Sequence, residues 1–399
     1  MDQEPNIDYG TLCPSLYKFR ATARIIIRHG RDNSAAGVAI LPGQEHTLRD
    51  RDLILTEPGI FFRVYGYWHP SSGYVCDPEY VPMSIFNTET LLEQRIRKKG
   101  YCKFYGSEGI EFVTEKYPQF MVPYPPLDTT LVGVRHSDIE RELRTDMRLK
   151  EMLESPPDDL LAGLLVELVD YLLDNTSIKK SDLGIFGSLL AGIYHPQYSD
   201  LDITVYGKDT FERLRPYLLE WYSEPDGYLA NEFIVEVQQF LDKPSPFTAI
   251  TREEIIAHHR RKGIYGILPG AREPFLKVEF EPIRRFDEID NLAEDAIMTP
   301  SDRITVRARI TEHDNGYYMP SEYGIDTIEV LEGDTSASPT RILNYIEQFR
   351  MMAFRDEEVI VSGVLEHVER RNTEYDQITL SYPLGWEANV LKTIDAVEF

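Results

Sequence analysis

Cysteine is scarce in this chain of 399 residues: Cys13, Cys76 and Cys102 are odd in number and far apart. That spacing suggests neither a disulfide framework nor a paired-cysteine metal site, and buried thiols in a reducing compartment are the simpler reading. Positive charge is also short. Lys plus Arg number 42 against 67 Asp plus Glu, a net charge of −25. Neutralising a polyanion needs a dense basic face, so a generic charge-driven polyanion binder is disfavoured, while a local basic patch on an acidic body is still allowed. The same acidity is found in proteins of high-salt or acid-proteome hosts. No apolar run approaches ~18 residues, so no membrane span is expected. The opening MDQEPNIDYG has neither the basic nor the apolar region of a signal peptide. The expectation is a soluble cytoplasmic protein. Internal repeats and low-complexity tracts are absent, and 42% apolar residues are enough to bury real cores.

Pattern divides the chain into three parts: 1–150, 151–295 and 296–399. The first has short β-rich runs (Arg24–Arg28, Leu53–Leu55, Ile60–Tyr67) and dense aromatics from Phe61 to Tyr80, the mark of an antiparallel β-rich domain. A basic stretch, Arg95, Arg97, Lys98, Lys99 and Lys103, reads as a solvated face. HSDIERELRTDMRLKEMLES, with Ser137 as cap, is expected to be a connecting helix. In the middle part, the broad apolar face after Pro156-Pro157 predicts a buried helix. Strands are expected at Leu183–Phe186, Leu201–Tyr206, Ile264–Leu268 and Phe275–Pro282. Helices are expected at Thr210–Tyr222 and at Thr251–Lys262, where Thr251 and Glu254 match a capping box. The last part is again β-rich and suggests a small barrel, with one helix at Thr340–Ala353. Asn291–Pro300 is the expected linker. The fold class is therefore α+β, a mixed sheet with helices flanked by two β-rich domains.

The informative segment is Gly187-Ser188 at the end of one apolar run, followed after eleven residues by Asp200-Leu201-Asp202-Ile203-Thr204-Val205. Residues i and i+2 of a strand share a face, so Asp200 and Asp202 project together while Leu201, Ile203 and Val205 anchor a core. Two neighbouring carboxylates repel each other unless a divalent cation lies between them. Oxygen donors with spare coordination sites suit Mg²⁺ or Mn²⁺ carrying phosphates. A Gly-Ser turn opening a helix offers backbone N–H groups and a hydroxyl to a phosphate. In these features, with Ser199, Gly192 and Pro196, the chain resembles the DNA polymerase β-type nucleotidyltransferase superfamily. DLILTEPGIFFRVYGYWHP, GVRHSDIERELR, and RRKGIYG followed by PGAR are similar to a group of predicted archaeal members with β-rich flanks.

The resemblance implies transfer of a nucleoside monophosphate from an NTP to an acceptor hydroxyl on RNA, protein or a small molecule, with release of pyrophosphate. It implies two metal ions held by Asp200, Asp202 and a third carboxylate. Glu279 is favoured from the alternation of Phe275–Pro282, with Glu281 second and Glu236 a rival in a stretch of helical period. The superfamily commonly has Asp at this third place. Arginines common after its Gly-Ser turn are replaced here by Leu189, Leu190 and Ala191. Arg260, Arg261 and Arg272 are therefore expected to contact phosphate or acceptor. His258-His259 is expected to be a solvated or phosphate-facing pair. Arg24–Gly30 mimics the RHG motif of histidine phosphatases and reads better as an edge strand with basic ends. Two other functions are carried: an inactive nucleotide- or nucleic-acid-binding module, and an antitoxin-like enzyme modifying a partner protein. The nucleotide, the acceptor and the oligomeric state are left open.

Overall fold

Three sheets follow one another along the chain, separated by helices, in a computed structural model that describes residues 48–86, 96–97, 100–105, 107–224, 227–272, 275–289, 296–370, 372–382 and 385–394. The fold is α+β with β-rich flanks.

The first sheet comprises β1 (Leu53–Leu55), β2 (Phe61–Val64), β3 (Gly73–Pro82), β4 (Ile96–Arg97) and β5 (Tyr101–Lys103). After helix α1 (Glu108–Lys116) come β6 (Met121–Tyr124), β7 (Thr129–Arg135) and β8 (Arg141–Leu143). Its strand order is β4-β5-β3-β2-β1-β8, with β7 also on β3 and β6 on β7. The dense aromatics are its core. Phe61, Phe62, Tyr74 and Tyr80 are buried, and Phe62 meets Phe120 edge-on at 5.1 Å. The RHG segment, Arg95, Lys98 and Lys99 lie outside the described residues, and Lys103 pairs with Glu79 at 3.7 Å.

The expected Ser137-capped helix is corrected. Arg141–Leu143 is instead a strand, in register with β1 (Leu53↔Leu143). Helix α2 (Thr145–Glu154) begins only after it. Its first N–H and the Thr145 hydroxyl donate to Asp52, at 2.8 and 3.0 Å, so the terminus is satisfied by a residue far away in sequence. Local periodicity loses here to a tertiary partner.

The central elements are α3 (Leu160–Asn175), β9 (Leu183–Ile185), α4 (Gly187–Ala191), β10 (Leu201–Tyr206), α5 (Lys208–Ser223), β11 (Ala230–Asn231), α6 (Glu232–Val235), α7 (Val237–Leu241), α8 (Arg252–Lys262), β12 (Tyr265–Leu268) and β13 (Leu276–Ile283). Asp159 caps α3 by accepting from the Ala162 N–H at 3.1 Å, and Leu161, Leu165, Leu168 and Leu172 bury its apolar face. The capping box of α8 is present as expected, with Thr251 and Glu254 exchanging bonds. The strand order is β11-β12-β13-β10-β9, with β10 and β13 parallel and the other neighbours antiparallel.

The third sheet contains β14 (Ile297–Glu312), β15 (Ser321–Glu332), β16 (Arg341–Asn344), β17 (Glu358–Arg370), β18 (Thr373–Leu380) and β19 (Val390–Thr393). It runs β14-β15-β16-β18-β17 and returns to β14, a closed ring that matches the expected barrel, with β19 added to β17. Closure removes the free edges that an open sheet exposes. The helix expected over Thr340–Ala353 is not formed. Arg341–Asn344 fills the place between β15 and β18, and its Ile342 and Leu343 are buried in the ring. Part of the expected linker, from Ile297, already belongs to β14. No helix among the described residues is long and apolar enough to cross a membrane.

Candidate active site

Strand β10 brings Asp202 to the surface of the central sheet between three anchors, Leu201, Ile203 and Val205, that are fully buried. Its partner in the parallel ladder with β13 is Glu279 (Asp202↔Glu279). Neighbouring strands lie about 4.8 Å apart, so these two side chains rise side by side on one face. Asp200 precedes the strand on the same alternation. Gly187 sits at φ +64, and a Cβ there would lie 2.4 Å from Asp202 Oδ2. Only glycine fits both that backbone and that approach. Phe186 N–H donates to the Asp202 carbonyl at 3.0 Å, which fixes the turn against the strand.

Ser188 is buried. Its hydroxyl donates to Ser199 Oγ at 3.0 Å, and Ser199 Oγ accepts from the His195 N–H at 2.9 Å. The Gly-Ser turn and the residue before the paired aspartates are thus clamped together across the intervening loop.

Positive charge comes from places the sequence only partly signalled. Arg272, expected at a phosphate, reaches Asp200 at 3.0 Å and donates to the Ser199 carbonyl at 2.7 Å. Lys277, two residues before Glu279 on the same face, pairs with Glu232. Burial would lower its pKa, but Glu232 and then Asp200 hold it above its usual value. Sequence reasoning assigned Lys277 no role, although the period-2 alternation that chose Glu279 also selects Lys277. Arg260 and Arg261 are not gathered with the carboxylates. Arg260 Nε donates to the Phe233 carbonyl at 3.1 Å, while Arg261 pairs with Glu357 and lies 4.7 Å from the centre of the Phe354 ring. His258 and His259 correct the expectation of a solvated pair, since both are buried. Burial, helped by neighbouring cations, pushes the His258 imidazole down to about 3, and His259 falls well below its usual value.

The three candidate third acids lie in different surroundings. Glu281 is 1% exposed, bonded to Arg51 through Nε at 3.0 Å and Nη2 at 2.6 Å and also to Arg350. Burial would raise its pKa, but Arg350 and Arg51 bring it below the usual range. Arg51 also pairs with Glu347 at 2.9 Å, and Lys262 Nζ donates to the Gln348 carbonyl at 2.8 Å. One buried carboxylate of β13 therefore ties together residues of all three sheet regions. Arg51 and Met351, the residue after Arg350, take left-handed backbone at φ 73 and 55, conformations that only a determined surrounding holds. Glu279 is different: its side chain is 33% exposed and stands 3.5 Å from Arg350. Burial of its carboxyl and the nearby Glu281 charge raise its pKa well above the usual range, with Asp202 adding to the shift and Arg350 opposing it. Glu236 is half-buried between α6 and α7, raised by burial and by Glu232 against the pull of Lys277. Arg51 and Arg350 had no local signal in the sequence, because each meets Glu281 only through the assembled fold.

Asp200, Asp202 and Glu279 offer the oxygen donors that a hard divalent cation prefers. Among the described residues, no three His, Cys, Asp or Glu side chains converge on one point as a metal cage. Asp200 is drawn to Arg272 instead, and Arg350 stands beside Glu279. The donor chemistry and the strand register fit a cation, and Arg272 holds one of the donors.

Residues 165–266 match the model of a nucleotidyltransferase domain. An uncharacterized protein of Methanocaldococcus jannaschii is 23% identical over 340 residues, covering 84% of this chain and 95% of that protein. No solved structure matches the chain significantly. The matched segment spans the Gly187-Ser188 turn and the paired aspartates, and the chain carries a nucleotidyltransferase domain.

Proposed function

We propose that the chain is a metal-dependent nucleotidyltransferase that moves a nucleoside monophosphate from an NTP to an acceptor hydroxyl and releases pyrophosphate. The observation that carries this reading is the register pair Asp202 and Glu279, with Gly187 pressed against the Asp202 carboxylate. Asp200, Asp202 and Glu279 are the residues to hold Mg²⁺ or Mn²⁺, and Glu281 and Glu236 are the less suitable third acids. The bound cation would supply charge stabilisation for the transferring phosphoryl group. Gly187 and Ser188 bind the outer phosphates through backbone N–H groups. Arg272 and Lys277 supply the positive charge that the loop after Ser188 lacks. Glu279, as a carboxylate, takes the proton from the acceptor hydroxyl. Three domains, 1–150, 151–295 and 296–399, in a cytoplasmic enzyme complete the reading.

The test is release of pyrophosphate from each NTP with and without Mg²⁺ or Mn²⁺. Label from the productive NTP, incubated with total RNA and with total protein, identifies the acceptor class. Turnover unchanged by Asp200→Ala combined with Asp202→Ala would overturn the assignment, and nucleotide binding without turnover would favour an inactive binding module.

A further inference from the structure

Arg350 reaches the central sheet from the ring region, out of the segment between β16 and β17, and its side chain is 1% exposed. The backbone around it is pinned on both sides. The Phe349 carbonyl accepts from Tyr323 Oη at 3.1 Å, and the Arg350 N–H donates to the Glu347 carbonyl at 3.1 Å. The Met351 N–H donates to the Gly316 carbonyl at 3.1 Å, and the Met352 N–H to Tyr323 Oη at 3.3 Å. Tyr323 thus holds the chain before and after Arg350, and the stem of the side chain is aimed.

The guanidinium meets both glutamates of β13. Nη1 bonds Glu281, and Nη2 stands 3.5 Å from Glu279 Oε1. Residues i and i+2 of a strand project to the same side, so one planar fork can serve both carboxylates, which a single ammonium could not. Glu281 is also held by Arg51, so it is a fixed post for one arm of the fork. The other arm then has a set direction, toward Glu279. Glu279 is a third exposed, so packing alone leaves its carboxylate a choice of rotamers. A cation at a fixed point narrows that choice, on the strand position that faces Asp202.

We propose that Arg350 is a positioning residue for nucleotidyl transfer: it holds the Glu279 carboxylate beside Asp202, which makes the ring region a working part of the active site. The inference rests on the reading of Asp202 and Glu279 as carboxylates of that reaction. Arg350 acts through Glu279 and not on the nucleotide, because a guanidinium 1% exposed offers a substrate no approach. A purely structural role would be met by Glu281 alone, with no second arm turned to Glu279.

The test is kinetics on the full chain in a double-mutant cycle. Arg350→Lys keeps a positive charge for Glu281 but gives up the fork. It should lower kcat about 10- to 100-fold, the scale of losing a residue that orients a reacting group, with KM for the productive NTP unchanged. Calorimetric binding of a non-hydrolysable analogue of that NTP should also be unchanged. In a chain already carrying Glu279→Gln, Arg350→Lys should lower kcat little further, because the residue through which it acts is gone. Tyr323→Phe loosens the backbone on both sides of Arg350 while keeping every charge, and carries the same test if Arg350→Lys does not fold. It should lower kcat about threefold to tenfold, the scale of one hydrogen bond, and again little in the Glu279→Gln chain. An unchanged kcat in both variants, a loss as large without Glu279 as with it, or weakened binding of the analogue in step with kcat would each overturn the proposal. A wild-type chain with no metal-dependent turnover would overturn the nucleotidyltransferase reading and this proposal with it, whereas turnover indifferent to Arg350 overturns this proposal alone.

Discussion

Glu279 and Glu281 are the same residue type, two positions apart on one face of β13, yet they have opposite surroundings. Glu281 is sealed between Arg51 and Arg350, while Glu279 is a third exposed beside Asp202. One end of the face is committed to holding three regions together and the other is left open for chemistry. Charge alone does not distinguish them; what does is how closely buried guanidinium groups hold each carboxylate, Arg51 and Arg350 both bonding Glu281 while Arg350 stands 3.5 Å from Glu279.

The largest expected effect lies on the open end. Asp202→Ala should lower pyrophosphate release by about 10³-fold or more, the scale of losing a group that stabilises developing charge, with the melting temperature nearly unchanged. Next comes the contrast itself. Glu281→Gln removes the buried counter-charge that Arg51 and Arg350 share and should cost about 3–5 kcal/mol in denaturant unfolding. Glu279→Gln should leave stability intact and cost about 10²-fold in kcat, the loss expected of a general base. If the two substitutions exchanged these outcomes, the division of labour along β13 would be refuted.

Gly187→Ala should cost about 1–2 kcal/mol for a left-handed non-glycine residue and displace the Asp202 carboxylate, so turnover falls with the stability. A pH effect comes from the same buried cluster. Burial, with Glu281 adding and Arg51 opposing, pushes Asp50 up to about 7 from its usual 3.8. Because the folded value is the higher one, its contribution is present in full below about pH 4 and lost as pH rises through 7. Asp50→Asn, which keeps an acceptor for the Gly66 N–H, should flatten the fall in melting temperature over that range. The smallest effect is expected at Arg261. Its pair with Glu357 is partly exposed, so Arg261→Ala should cost no more than about 1 kcal/mol and leave KM for the nucleotide unchanged. A large rise in KM would instead return Arg261 to the phosphates.

Much of the central sheet was legible because its strands are anchored by simple alternation. Leu201, Ile203 and Val205 predict β10, and Leu276, Val278 and Phe280 predict β13. The capping box of Thr251 and Glu254 is a local signal and was read correctly. The failures share a physical cause. Arg141–Leu143 and Arg341–Asn344 carry no strong local preference, and each becomes a strand because a free edge of another element accepts it. His258 and His259 were misplaced because α8 is buried on sides its sequence does not mark. At the site, the Gly-Ser turn and aspartate pair were visible from spacing. The partners of Glu279 and Glu281 were not, since Arg51 and Arg350 are neighbours only after folding.

The Arg51–Glu281–Arg350 contact also sets an order of assembly. Arg51 leaves the ribosome 230 residues ahead of Glu281, and Arg350 follows Glu281 by 69. Until the central region is made, the guanidinium of Arg51 has only the adjacent Asp50 as a buried counter-charge, at 3.6 Å, and joining it to Glu281 requires the entropy of a long loop. The strand that carries Glu279 and Glu281 in turn gains Arg350 only when synthesis of the ring region is under way.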